Sequence, residues 1–404
     1  MLSSPIIQPQ TEQAHDCRQR YCLFSGAGRA STAQEISGQA QAWLEIPQLL
    51  QRDQAALQPL AAALNNPQAT VVFSGAGTSA YVGDIVAPLI APLAAAHCQA
   101  IASTDFVAQP ADRLPRHAEG IFFAFARSGN SPESVDSIEK LAIVAPQMQP
   151  YAVTCNAQGQ LALDERTYSL LMPPQTHDAS FVMTSSFSTM TLYTAALCRQ
   201  ALGLAASDFS ALAEASQQIN RQFYHSATAD TLLQAQRLIF LGSSALYGAA
   251  RECALKILEM TAGAIPTMAE TSLGFRHGPK SLINGQTAVM VLPSNHAYTQ
   301  QFDADIIREL ANDGSATAIV VPASAEFFAR FEDIAAHPRV IALPYAAAGD
   351  SFSDDYLAVL AVQYAQLLGL RAAIERRISP DNPNPSGQVN RVVKGVRLYP
   401  YSTS

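Results

Sequence analysis

The sequence predicts an α/β chain built of two tandem, doubly wound parallel sheets, and three observations carry that prediction. The two halves repeat the same order of strand-like runs and turn signals at an offset of 166 or 167 residues. The strand-like runs are short, continuous and apolar rather than alternating, as expected of strands buried on both faces. Segments long enough for helices separate them, as parallel pairing requires.

The first strand is read at residues 71–75, Val-Val-Phe-Ser-Gly, and returns at 238–242 as Leu-Ile-Phe-Leu-Gly. A second run, 121–126 stopping at Ser128, is matched by 288–292 stopping at Ser294. A third, 151–154, pairs with 317–321, and a fourth, around 170–172 and 340–343, drifts by a few residues. Residues 132–145 and 300–312 have helical length, and each half is expected to close with a helix ending Leu-Gly-Leu, at Gly203 and Gly369. Two uncharged stretches, 85–104 and 179–198, are interrupted by Pro and His or by Ser and Thr. They read as helices buried against a sheet rather than membrane spans. The expected divisions are a helical N-terminal arm (1–52), a first domain (53–206), a helical linker (207–230), a second domain (231–376) and a C-terminal tail (377–404).

Composition sets limits on function. The 404 residues are enough for two or three cores. Charged residues are only 14% against 49% hydrophobic, which points to extensive surface buried between domains or subunits and excludes disorder for the bulk. A net charge of −8 argues against binding nucleic acid by counterion release, so any anion must be held locally. No secretory signal is visible at residues 1–10, and the expected compartment is the cytoplasm. Six cysteines, at 17, 22, 98, 155, 198 and 253, include no C-x-x-C and no zinc spacing. They read as reduced thiols in cores, and no metal or cofactor is expected.

In open parallel sheets ligands bind beyond the carboxyl ends of the strands. After the first strand, Ser74-Gly75-Ala76-Gly77-Thr78-Ser79 is a small-residue turn that lets backbone N–H groups approach an anion at a helix start. Its alternative is a tight turn with Thr78 or Ser79 as helix cap. It lacks the glycine pattern of a dinucleotide site or a P-loop. After the second strand, Arg127, Ser128 and Asn130 gather a cation, a hydroxyl and an amide beside a helix whose cap is read as Ser131 before Pro132. Two such loops together suit a phosphorylated small molecule. Residues 183–186, with Thr184 and Ser185, either contact the rest of the ligand or form a buried hydroxyl face. In the second half, Glu252, Lys256 and Glu259 stand at helical spacings, which by spacing alone read as an exposed ion-pair face. His277, in a turn flanked by glycine and proline, is a proton-shuttle candidate on a constrained loop. The tail, 379–395, is rich in Asn, Pro and Gly and reads as a mobile loop or a frayed end.

Taken together, Phe-Ser-Gly-Ala-Gly-Thr-Ser, Ala-Arg-Ser-Gly-Asn-Ser, Ala-Leu-Lys-Ile-Leu-Glu and Arg-His-Gly-Pro-Lys resemble the tandem sugar isomerase (SIS) domains of the phosphosugar isomerase family. The resemblance spans almost the whole chain and implies flavodoxin-like SIS domains. With the Asn-Pro-Ser-Gly tail, the pattern is most similar to the bacterial galactosamine-6-phosphate deaminase/isomerase branch, formerly labelled tagatose-6-phosphate ketose/aldose isomerase.

That resemblance implies phosphate binding by Arg127, Ser128, Asn130 and Ser131, with Thr78 and Ser79 at the ligand. Glu259 matches the carboxylate that moves a proton between C1 and C2, supported by Lys256. His277 matches the ring-opening histidine, contributed in the related synthase by a neighbouring subunit, and Lys394 the tail lysine that closes over the sugar. A homodimer or higher homo-oligomer with shared active sites is therefore implied, with a phosphorylated amino sugar as partner and neither nucleic acid nor membrane. Arg127 stands where the synthase has glutamine, and Phe275-Arg276 replaces a Glu-Leu-Lys run. No glutaminase domain precedes the arm, so the expected reaction is deamination of galactosamine 6-phosphate to tagatose 6-phosphate and ammonia. The alternatives are ketose/aldose isomerisation of a hexose phosphate without deamination, or a non-catalytic phosphosugar-binding regulator.

Overall fold

A computed structural model describes residues 30–402 apart from 116, 206, 347, 348 and 350. Residues 1–10, Cys17 and Cys22 lie outside the described residues.

Ten strands form two five-stranded parallel sheets: β1 Thr70–Gly75, β2 His97–Ala102, β3 Glu119–Ala126, β4 Gln147–Thr154 and β5 Tyr168–Leu171 in the first, then β6 Arg237–Gly242, β7 Thr267–Glu270, β8 Thr287–Leu292, β9 Ala318–Ala323 and β10 Val340–Pro344 in the second. The strand orders are β2-β1-β3-β4-β5 and, read in the same sense, β7-β6-β8-β9-β10, so the topology is duplicated along with the sequence. Helices of 13 residues or more among the described residues are α1 Ser31–Trp43, α2 Thr78–Ile90, α3 Pro132–Val144, α4 Ser185–Ala201, α5 Ser210–Gln222, α6 Ala245–Met260, α7 Thr299–Asp313 and α8 Asp354–Glu375.

The continuous apolar runs become strands because both of their faces are covered. On β3, Phe123 and Phe125 face the core shared by the two halves, while Phe122 and Ala124 face a separate core under α3. Phe73 and Phe123 stack at 5.2 Å across β1 and β3. Two of the four edge strands, β2 and β7, carry His97 and Gln99 or only four half-buried residues, and are not legible as apolar runs. Residues 85–104 are accordingly not one helix: α2 ends at Ile90 and β2 begins at His97. The second Leu-Gly-Leu does not end a helix either. Around Gly203, with φ +73°, the chain leaves α4, whereas Gly369 lies inside α8, where a Cβ would come within 2.9 Å of Met260 Sδ. By length and hydropathy α8 could cross a membrane, yet 89% of its apolar window is buried among the other helices. The described cysteines 98, 155, 198 and 253 are unpaired, the last three buried.

One crossing between the halves governs the site. Gly248 of α6 sits so close to α2 that an added Cβ would meet Ile85 Cγ1 at 2.8 Å and the Asp84 backbone at 3.0 Å. Arg251 pairs with Asp84 beside this contact and lies 4.5 Å over the Tyr81 ring. The start of α2 is thereby brought against the last turns of α6.

Candidate active site

Two turns form the floor of a cleft of about 250 Å³. The turn after β1 works because Gly75 approaches Ser79 too closely for a side chain, its Cβ position lying 2.6 Å from the Ser79 carbonyl carbon. Gly77 takes φ +56°, a left-handed conformation suited to glycine. Gly77, not Thr78 or Ser79, occupies the cap position of α2. The Thr78 hydroxyl instead accepts a hydrogen bond from Lys256 Nζ at 3.1 Å, and Ser79 Oγ lies 3.7 Å from Met183 Sδ. In the turn after β3, Ser128 Oγ accepts from the Asn130 amide at 3.2 Å, and Gly129 has φ +65°. Ser131 stands at the cap position of α3, but its side chain makes no capping hydrogen bond and lines the cleft. Two helix starts and the hydroxyls of Thr78, Ser79, Ser128 and Ser131 thus converge, an arrangement that suits an anion.

The opposite wall comes from the second half. Glu259, its side chain 24% exposed, lines the same cleft and accepts a hydrogen bond from Lys256 Nζ at 2.6 Å. Lys256 is fully buried, with Glu252 Oε1 3.3 Å away on its other side. The exposed ion-pair face expected from the spacing is therefore a buried triad. It is buried because α6 packs on α2 along one side and on α8 along another, leaving little of the helix to solvent. Burial pushes the Glu252 carboxyl up to about 8, against the opposing pull of Lys256. Burial alone would lower Lys256, but the two carboxylates outweigh it and raise its pKa. With one cation between two carboxyls, burial biases Glu252 towards its protonated form while Lys256 keeps its charge beside Glu259.

The other residues singled out from the sequence make different contacts from those expected. Arg127 lines the cleft but is buried, and its terminal nitrogens donate to the carbonyls of Ser180, Phe181 and Val182 at 3.0–3.2 Å and to that of Arg391 at 3.3 Å. The Asn130 side chain is turned away and accepts from the Gln160 amide at 2.9 Å. Thr184 and Ser185 do not line the cleft; with Ser186 they direct amides and hydroxyls at Asp178, which holds the start of α4. His277 is exposed just after a short 3-10 turn, and its neighbours Arg276 and Lys280 pair with Glu309 of α7. It does not line the cleft of its own chain, and neither does Lys394, although Val389, Asn390, Arg391 and Val393 do. Glu133, Phe181 and Met183 line it too. Met183 opens the 183–186 stretch that reads from the sequence as a candidate ligand contact, whereas nothing in the sequence signals Glu133 and Phe181 beyond their nearness to the loops.

No protein-family model matches the chain. The D-galactosamine-6-phosphate deaminase AgaS of Shewanella sp. (strain ANA-3) is 35% identical over 415 residues, covering 99% of this chain and all of that one. A Streptomyces coelicolor relative that carries the same AgaS name is 41% identical over 380 residues, 91% of this chain and 95% of its own. The crystal structure of tagatose-6-phosphate ketose/aldose isomerase from Escherichia coli superposes with a TM-score of 0.80 at 33% identity, covering 94% of this chain and 99% of that one. A duplicated sheet topology and similarity along nearly the full length of these relatives lead to one conclusion: this chain belongs to the AgaS family of two-domain SIS proteins.

Proposed function

We propose that the cleft deaminates and isomerises galactosamine 6-phosphate, giving tagatose 6-phosphate and ammonia. The observation that carries this reading is that Ser128 of the first half and Glu259 of the second line one cleft within a single chain.

Ser128, Ser131, Thr78 and Ser79, with the starts of α2 and α3, hold the phosphate, and the sugar chain extends towards α6. Arg127 shapes this floor and adds its charge, its donors being directed at carbonyls. Once the ring is open, Glu259 takes the proton from C2 and delivers it to C1. The aldehyde-amine thereby becomes an enolamine, as O1 takes up a proton from solvent, and then a C2 imine bearing a C1 hydroxymethyl, as the nitrogen gives one back. Water adds to C2, the C–N bond breaks, and ammonia leaves as the ketose carbonyl forms. Lys256, through its hydrogen bond, holds the Glu259 carboxyl within reach, while burial biases Glu252 against carrying a second negative charge in the triad. His277 of a second copy opens the ring, so the working form is a homo-oligomer, and Lys394 completes the tail side; a cytoplasmic location belongs to the same proposal. Isomerisation without deamination is the second reading, favoured by the name of the Escherichia coli structure, and it uses the same proton transfer.

The test is to mix purified protein with galactosamine 6-phosphate or glucosamine 6-phosphate and measure ammonia and ketose phosphate together. Ammonia from the galacto epimer, with kcat falling about 10²–10⁴-fold in Glu259→Gln, is the expected result. Ketose from hexose phosphates without ammonia would favour the second reading, and binding without turnover would overturn both.

A further inference from the structure

One wall of the cleft comes from the far end of the chain. Residues 389–393 have no regular secondary structure, yet Val389, Asn390, Arg391 and Val393 face the hydroxyl-lined floor. They are held through a short strap, residues 178–182, in which several backbone groups serve as attachment points.

The strap's amides are taken up on one side. Those of Ala179 and Ser180 donate to Glu35 Oε1 of α1 at 2.6 and 3.1 Å, and that of Phe181 donates to the Asp381 carbonyl at 3.1 Å. Its carbonyls are taken up by two guanidinium groups. From the first domain, Arg127 reaches the carbonyls of Ser180, Phe181 and Val182. From the tail, Arg391 reaches that of Ser180, through Nε at 3.1 Å, and that of Asp178. Arg127 also secures the tail directly, donating to the Arg391 carbonyl at 3.3 Å. A guanidinium presents its donors in a fixed fork, so grasping two carbonyls two residues apart sets both the distance and the tilt of the segment that carries it.

We infer that Arg391 is a positioning residue for the proposed reaction: by gripping the 178–182 strap it fixes the tail wall against the cleft, without itself being needed to hold the phosphate. The inference rests on reading this cleft as the amino-sugar phosphate site. It also separates two arginines that look alike in sequence, since Arg127 grips the strap from the domain and Arg391 from the tail.

The test compares Arg391→Ala and Arg391→Lys with the parent full-length chain in three readouts. These are KM and kcat for galactosamine 6-phosphate, the competitive inhibition constant of inorganic phosphate, and the rate of tryptic cleavage in the tail at Lys394 and Arg397. The expected result for Arg391→Ala is a KM raised about tenfold or more with kcat reduced, because a wall displaced by about an ångström disturbs the bound geometry. Phosphate inhibition should stay within about twofold of the parent, since the hydroxyl floor is untouched, and tail cleavage should accelerate about tenfold. Arg391→Lys, with one compact donor in place of a fork, should recover only part of each effect. Unchanged KM, kcat and cleavage would overturn the inference. So would a loss of phosphate inhibition in step with KM, which would mark a general structural defect. If the parent turns over no hexosamine phosphate, the functional reading fails. The cleavage rates, measured with inorganic phosphate present, would then decide separately whether Arg391 holds the tail.

Discussion

The two halves carry the same pair of turns, but the first pair lines a cleft while the second is bonded to the chain's own carboxylates. Gly77 and Ser244, 167 residues apart, have nearly the same backbone conformation, φ 56°, ψ −127° and φ 54°, ψ −125°. Ser128 Oγ accepts the Asn130 amide, and Ser294 Oγ accepts the His296 amide at 2.9 Å, so the second turn is also repeated. In the second half, however, the donors are taken by the chain's own carboxylates. Asp354 accepts from the Ser294 hydroxyl at 2.6 Å and the Asn295 amide at 2.9 Å. Asp303 accepts from the Ser243 and Ser272 hydroxyls at 2.6 Å and from the Ser294 amide at 3.1 Å. The residue 167 positions before Asp303 is Asp136, which turns instead to Lys140 at 3.0 Å. A serine-rich turn at a strand end is therefore not in itself a binding site. What decides is whether an internal acid already satisfies its donors.

The largest expected effect comes from writing the second half's solution into the first. Ser128→Asp places a carboxylate where the proposed phosphate sits, and like-charge repulsion should raise KM about a hundredfold with the fold intact. Steady-state kinetics beside a thermal melt checks this; an unchanged KM would mean that the first turn does not hold the anion. Next in size, Asp303→Ala strips two hydroxyls and an amide of their acceptor and should cost about 1–3 kcal/mol in urea unfolding. Asp136→Ala should cost less, and equal losses would erase the contrast between the halves. The last test concerns the acid that the second half contributes beside the cleft. Glu252 rises from 4.5 to about 8 on folding, so its contribution to stability is full below pH 4.5 and is lost as pH climbs through about 8. Glu252→Gln should flatten that decline in unfolding midpoints measured from about pH 5 to 9; parallel curves for the two proteins would show that Glu252 does not hold its proton there.

The same contrast explains which features are legible in the sequence. Strands β1, β3, β4, β6, β8 and β9 show as apolar runs because both faces are covered, and the repeat makes the duplicated topology readable. Strands β2 and β7 escape notice because an edge strand needs no continuous apolar run. The glycine turns point to the right strand ends, since no side chain fits at Gly75 and the positive φ of Gly77 favours glycine, although Ser244 adopts it in the second half. Burial of Glu252 and Lys256 is not legible. A spacing of four residues places two charges on one face of a helix but does not say what packs on that face, and here it is α2. Thr184 and Ser185 read equally as ligand contacts or as a buried hydroxyl face, because nothing in the neighbouring sequence shows that Asp178 gathers their hydroxyls. The strap is hidden for a related reason: its bonds to Arg391 join residues 211 and 213 positions apart and follow no period.

The tail also matters for how the molecule bears load. Helix α1 has no side-chain cap of its own, and the Asp381 carboxylate supplies it from 350 residues away, accepting from the amides of Ser31 and Thr32 at 2.9 and 2.8 Å and from the Thr32 hydroxyl at 2.7 Å. The beginning and the end of the described chain are thus buttoned together next to the strap. A pull on the tail would load the contacts of Arg391 and Asp381, so mechanical load would disturb the wall of the cleft while most of the architecture still stood.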